Sequence, residues 1–117
     1  MFYYVKQITE AAVLGELEQV VLLGVMRVGD DAYGATVLEE IERRTGRAPA
    51  LATVHTTLAR LEQKGLLVSR VGEPTAERGG RRKRHFAVTP AGRRAVRESV
   101  GALRRLLRGL SIGWDPS

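Results

Sequence analysis

Hydrophobic positions recur at three- and four-residue spacing in four stretches of this 117-residue chain, and each such stretch predicts a helix. In the first, Leu14, Leu17, Val21, Val25 and Val28 keep one face from Glu10 to Val28, while Glu16, Glu18 and Gln19 face out. Gly29, Asp30 and Asp31 follow as a turn with a ready N-cap. The second helix, Tyr33 to Thr45, carries Val37, Leu38 and Ile41 inward. It places Arg43 and Arg44 in its last turn, where cations suit the helix dipole, and closes at Gly46 and Pro49. The third is less plain. Thr53, Val54, Thr56 and Thr57 are β-branched and favour a strand by propensity. Period decides for a helix, because Leu51, Val54, Leu58 and Leu61 form one stripe up to Gly65, and an alternating pattern would scatter them over both faces.

After Gly65 the pattern shortens. Leu66, Leu67, Val68 and Val71 open a strand, the segment Gly72 to Gly80 has the glycine and proline of an exposed tip, and a second strand ends on Phe86 and Val88, which share a face. Thr89 and Pro90 start a fourth helix as N-cap and first helical residue. Along it Val96, Val100, Leu103, Leu107 and Leu110 step four, three, four, three, the seam of a coiled coil. About two heptads do not hold a coiled coil alone. The seam is therefore expected to pack against a second subunit, with packing inside the same chain as the alternative.

Charge changes this picture by its position. Residues 1 to 77 hold eight Lys/Arg and eleven Asp/Glu, whereas residues 78 to 108 hold eleven and one. A codon bias towards arginine explains Arg over Lys better than it explains that clustering. A localised basic block is the footprint of a polyanionic partner, either nucleic acid or an anionic membrane surface. Two groups of residues stand out. On the third helix Thr53, Thr57, Arg60 and Lys64 lie in a narrow arc opposite the apolar stripe, with Thr56 nearby and His55 on the flank, open between core packing and DNA contact. Arg78 stands near the end of the loop. On the basic strand Arg81, Arg82, Lys83 and Arg84 follow one another with no acid from Gly79 to His85, so that alternation points about half of these four at one partner and leaves the rest to solvate an exposed edge. Threonine hydroxyls reach phosphates or base edges, and arginine is favoured in narrow minor grooves. Arg93, Arg94 and Arg97 stand at the wrong end of the fourth helix for its dipole, which leaves phosphate contact or solubility as their use.

Other chemistry is missing. The chain has no cysteine, which excludes disulfides and thiolate metal sites and fits a cytoplasmic setting. It has two histidines thirty residues apart, no HExxH, no GxSxG and no phosphate-cradling glycine loop, so neither an enzyme nor a cofactor or metal is expected. The longest apolar run, Val20 to Met26, is far below the roughly 20 residues that span a membrane.

The expected fold class is α+β: a winged helix-turn-helix with a three-helix core, a two-stranded wing and an additional C-terminal dimerisation helix. Residues 1–88 would form the DNA-binding domain with an N-terminal arm, 89–110 the dimerisation helix and 111–117 a tail. The arm carries Phe2, Tyr3 and Tyr4, expected to pack on a dimer partner. Four blocks, LGELEQVVLLGVM at 14 to 26, AYGATVLEEIERRTGR at 32 to 47, TVHTTLARLEQKGLLVSR at 53 to 70 and GGRRKRHFAVTPAGRRAV at 79 to 96, resemble the PadR family of bacterial transcriptional regulators in its short form. His55 stands where that family usually has tyrosine, and His85 and Phe86 replace its tyrosine pair. The resemblance implies a repressor that binds double-stranded DNA as a homodimer through Leu14, Leu17 and the seam of the last helix. Regulation is then expected from anything that alters the spacing of the two heads, such as a small-molecule effector at the dimer interface. Two rival functions are an RNA-binding module, which would show more exposed aromatics, and a winged fold that binds protein.

Overall fold

The computed structural model describes residues 14–72 and 83–111. Within them α1 is Glu16–Val28, α2 Gly34–Thr45, α3 Leu51–Gln63, β1 Leu67–Val71, β2 Arg84–Val88 and α4 Pro90–Leu107. The valine and leucine stripes of the first three helices meet in one core: Val21, Leu22 and Val25 of α1, Val37 and Ile41 of α2, and Val54, Leu58 and Leu61 of α3. Burying a side chain of this size contributes about 1.5–3 kcal/mol. That burial fixes the faces of all three helices.

The hairpin is antiparallel, with Leu67 opposite Val88, Ser69 opposite Phe86 and Val71 opposite Arg84. Leu67 and Phe86 therefore share a face and enter the core. Gly65 makes the reversal between α3 and β1 at φ 79°, a conformation that disfavours side chains. The Leu66 amide donates to the Leu61 carbonyl at 3.0 Å, closing the helix end. The Phe86 amide donates to the Ala32 carbonyl at 2.8 Å, which ties the hairpin to the turn before α2, and the Thr89 amide donates to the Leu66 carbonyl at 3.1 Å, which extends the ladder by one pair.

The start of α4 is locked to the same junction. Thr89 Oγ1 accepts from the Gly92 amide at 3.0 Å, the expected N-cap, and donates to the Gly65 carbonyl at 2.8 Å. Gly92 lies so close to Leu66 that a Cβ there would collide with the Leu66 carbonyl oxygen. Ala95, Val96 and Ser99 remain buried, and past them the helix leaves the core. The architecture is a winged helix-turn-helix with a C-terminal helix.

Several local expectations change. Described α1 begins at Glu16; residues 10–13, like the arm, residues 73–82 and the tail after 111, lie outside the described residues. Glu18, expected to face out, is 7% exposed and accepts from the Gly15 amide at 3.0 Å. Leu51, expected in the core stripe, is 43% exposed because α3 starts there, one turn before the helix reaches the core. Neither aspartate caps α2: Tyr33 is its N-cap, and Thr36 Oγ1 accepts from the Tyr33 amide at 2.9 Å while donating to the Asp31 carbonyl at 2.6 Å.

Candidate nucleic-acid interface

At roughly 100° per residue, the buried stripe Val54, Leu58, Leu61 leaves an exposed arc on the other side of α3. Thr53, Thr56 and Arg60 lie in that arc, as expected, and His55, which the sequence leaves open between core and ligand, is exposed at its edge. Thr57 does not. It is 2% exposed, lies about 40° past Leu61 at the edge of the buried stripe, and donates its hydroxyl to the Thr53 carbonyl at 2.8 Å. Its side chain is withdrawn from any ligand. Lys64 also changes role, since its Nζ donates to Glu18 Oε2 at 2.7 Å and ties the end of α3 to the start of α1. Burial pushes the Glu18 carboxyl up, but the bonds from Lys64 and Gly15 and the charges of Lys64 and Arg60 outweigh it and hold it below its usual value. The exposed arc also includes Ala52, Ala59 and Gln63, which polarity does not single out because two of them are small and apolar. Their angular distance from Val54 and Leu61 was the available signal.

His55 occupies the edge of this arc, against the first turn of α2. Its ring lies over Gly34, where a Cβ would collide with it, so α2 and α3 approach through a glycine. The base of the wing is fastened beside it. Lys83 Nζ donates to the Tyr33 hydroxyl at 3.1 Å and stands 4.4 Å from the centre of that ring, a cation–π contact. The His85 ring meets Tyr33 edge to face at 5.4 Å, and His85 Nε2 is 3.6 Å from Asp31 Oδ1. On the other side of the hairpin Arg84 donates to Ser69 Oγ at 3.0 Å, and Ser69 donates to Glu62 of α3 at 2.6 Å. Both strands are thus anchored to the helix-turn-helix. Arg78, Arg81 and Arg82 lie outside the described residues.

The remaining cations divide. Glu40 of α2 accepts from Arg27 at 2.9 Å, from Arg44 at 3.0 Å and from Arg43. The Arg43 bond first, then those of Arg27 and Arg44, lower its carboxyl from 4.5 to about 2. Along α4, by contrast, Arg93, Arg94, Arg97, Arg104 and Arg105 are exposed and make no ion pair among the described residues.

The residues assigned to a dimer contact divide too. Leu14 and Val96 are buried in the chain's own core and so are not available to a partner, and Leu17 and Val100 pack partly against it. Leu107 is half-buried, while Leu103, Leu106 and Leu110 are 51%, 74% and 61% exposed. No described helix is long and apolar enough to cross a membrane, and no group of His, Asp and Glu among the described residues is placed to hold a metal ion.

A polar helix presented beside an anchored hairpin with basic residues on its returning strand defines a winged-helix regulator. The chain belongs to the transcriptional regulator PadR-like family, whose pattern matches residues 22–98. It is 40% identical over 81 residues to the transcriptional regulator Rv3488 of Mycobacterium tuberculosis, across 68% of this chain and 69% of that one. Its fold is similar to a transcriptional regulator of Clostridium thermocellum, Cth-833, with a TM-score of 0.66 at 20% identity over 87% of this chain and 92% of that one. It is also similar to Bacillus subtilis PadR solved in complex with operator DNA, with a TM-score of 0.57 at 17% identity over 86% of this chain and 53% of that one.

Proposed function

We propose that this chain is a cytoplasmic, sequence-specific repressor that binds double-stranded DNA as a homodimer. The observation that carries the reading is the exposed arc of α3, with Thr53, His55, Thr56 and Arg60, set beside a hairpin whose base is tied to both helices of the helix-turn-helix. Two such helices would enter successive major grooves roughly 34 Å apart, so the operator is an imperfect palindrome. The wing, with Arg81, Arg82 and Arg84, would grip the flanking backbone or minor groove. Leu103, Leu106 and Leu110 supply the apolar surface for the second subunit, since three large exposed leucines at one helix end are costly to leave in water. A small-molecule effector would act by changing the spacing of the two heads.

The test is fluorescence anisotropy with DNA from upstream of the chain's own gene, against scrambled DNA, at several salt concentrations. A variant carrying Arg81→Ala, Arg82→Ala and Arg84→Ala is run in parallel. Selective binding with a steep salt slope that the variant flattens supports the reading. Equal, weak binding of both DNAs by both proteins would end the role of the wing on DNA and direct attention to protein partners.

A further inference from the structure

The middle of the exposed arc of α3 is unlike its edges. Ala52, Thr56 and Ala59 follow one another at four- and three-residue spacing and form a continuous exposed stripe. Thr56 donates its only hydroxyl hydrogen to the Ala52 carbonyl at 3.0 Å. What it offers outward is a methyl group and acceptor lone pairs. The stripe therefore consists of three small apolar groups and one acceptor. The donors expected near it stand aside or are committed: Lys64 is bonded to Glu18, Thr57 is in the core and bonded to the Thr53 carbonyl, and Arg60 lies on the flank.

This chemistry matches one kind of base pair. In the major groove an A·T pair presents the thymine C5-methyl, which packs against alanine and threonine methyls, and the adenine N6 amino group, which donates to an acceptor. A G·C pair presents the guanine N7 and O6 acceptors, which call for a free cation or amide donor, and a cytosine N4 amino group that has no methyl beside it. The stripe itself has neither cation nor amide; the uncharged side chains with O–H or N–H groups that flank it are Thr53, His55 and Gln63, and the Gln63 amide pairs with adenine rather than guanine. We propose that Ala52, Thr56 and Ala59 form a thymine-methyl-reading patch, which makes an A·T pair obligatory at the centre of each half-site. This rests on the DNA-binding reading above and adds the base that the site selects.

The experiment selects preferred duplexes for the full chain from a random-sequence library, then replaces each thymine singly with deoxyuridine, which removes the C5-methyl and keeps the pairing. One replacement per half-site is expected to weaken binding about fourfold, the value of one buried methyl group. Thr56→Ser, which keeps the hydroxyl and loses the methyl, should bring that penalty towards onefold. Ala59→Lys should move the selected base at this position towards guanine. The proposal is overturned if the wild-type protein selects a defined sequence yet binds every deoxyuridine duplex as tightly as its parent; the DNA-binding reading would then stand. If no sequence is selected at all, that reading falls and the patch with it.

Discussion

Two sets of cations in this molecule, one around α1 and α2 and one along α4, are used in opposite ways. In the first, Arg27, Arg43 and Arg44 converge on Glu40, and Lys64 reaches back to Glu18. Arg27 and Lys64 tie one helix to another, and Arg43 and Arg44 complete the cluster within α2. In the second, α4 carries five arginines with Glu98 as its only acid, and among the described residues they form no ion pair. A cation is therefore available to a polyanion according to whether an acid lies within reach of it, and its place on a helical arc is a weaker guide. Lys64 illustrates this, since it shares an arc with Arg60 and yet belongs to the structural set.

The strongest way to break the comparison is to detach α4 from the core. Gly92→Ala places a Cβ against the Leu66 carbonyl, and a loss of about 1–3 kcal/mol in urea unfolding is expected from overpacking. A Tm unchanged from wild type would mean that α4 is not seated as described. Next in size, Glu18→Gln removes the charge that holds Lys64 and weakens the bond from Gly15; since Lys64 is partly exposed, about 1 kcal/mol is expected in the same assay.

Glu40 sharpens the comparison through pH. Its folded carboxyl lies below its unfolded value, so its contribution is complete above about pH 4.5 and is lost as pH falls from there towards about 2. Thermal melts across that interval should show a shallower decline for Glu40→Gln than for wild type. Identical slopes would remove the arginine cluster from the structural set. The smallest effect is expected on salt dependence. Arg60→Ala should reduce the log–log salt slope of DNA binding by about 1, whereas Arg43→Ala should leave it unaltered. The assignment of the two kinds of cation is reversed if Arg43→Ala flattens the slope and Arg60→Ala does not.

Much of the fold was legible because it depends on periodicity. The stripe Val54, Leu58, Leu61 placed α3 in spite of its β-branched residues, and Thr89 with Pro90 marked the start of α4 to the residue. The interface was legible in outline and less so in detail. Thr57 and Thr53 are the same residue type in the same arc, yet one is buried and one exposed, because a boundary position is assigned by which neighbour fills the space beside it. Ala52 and Ala59 are not legible in the sequence for a related reason: alanine carries no polarity to distinguish a groove-facing site from a core site.

Spacing and residue type along the chain thus specified the helices, the hairpin, their order and the basic block, since these follow from local periods and from charges close in sequence. Contacts between residues far apart decided which cations remain free, which threonine turns inward and how much of the last helix stays uncovered. Glu18 and Lys64 are separated by 46 residues and Tyr33 and Lys83 by 50. Pairings across such distances exist once hydrophobic burial has brought α1, α2, α3 and the hairpin together, and no local pattern encodes them.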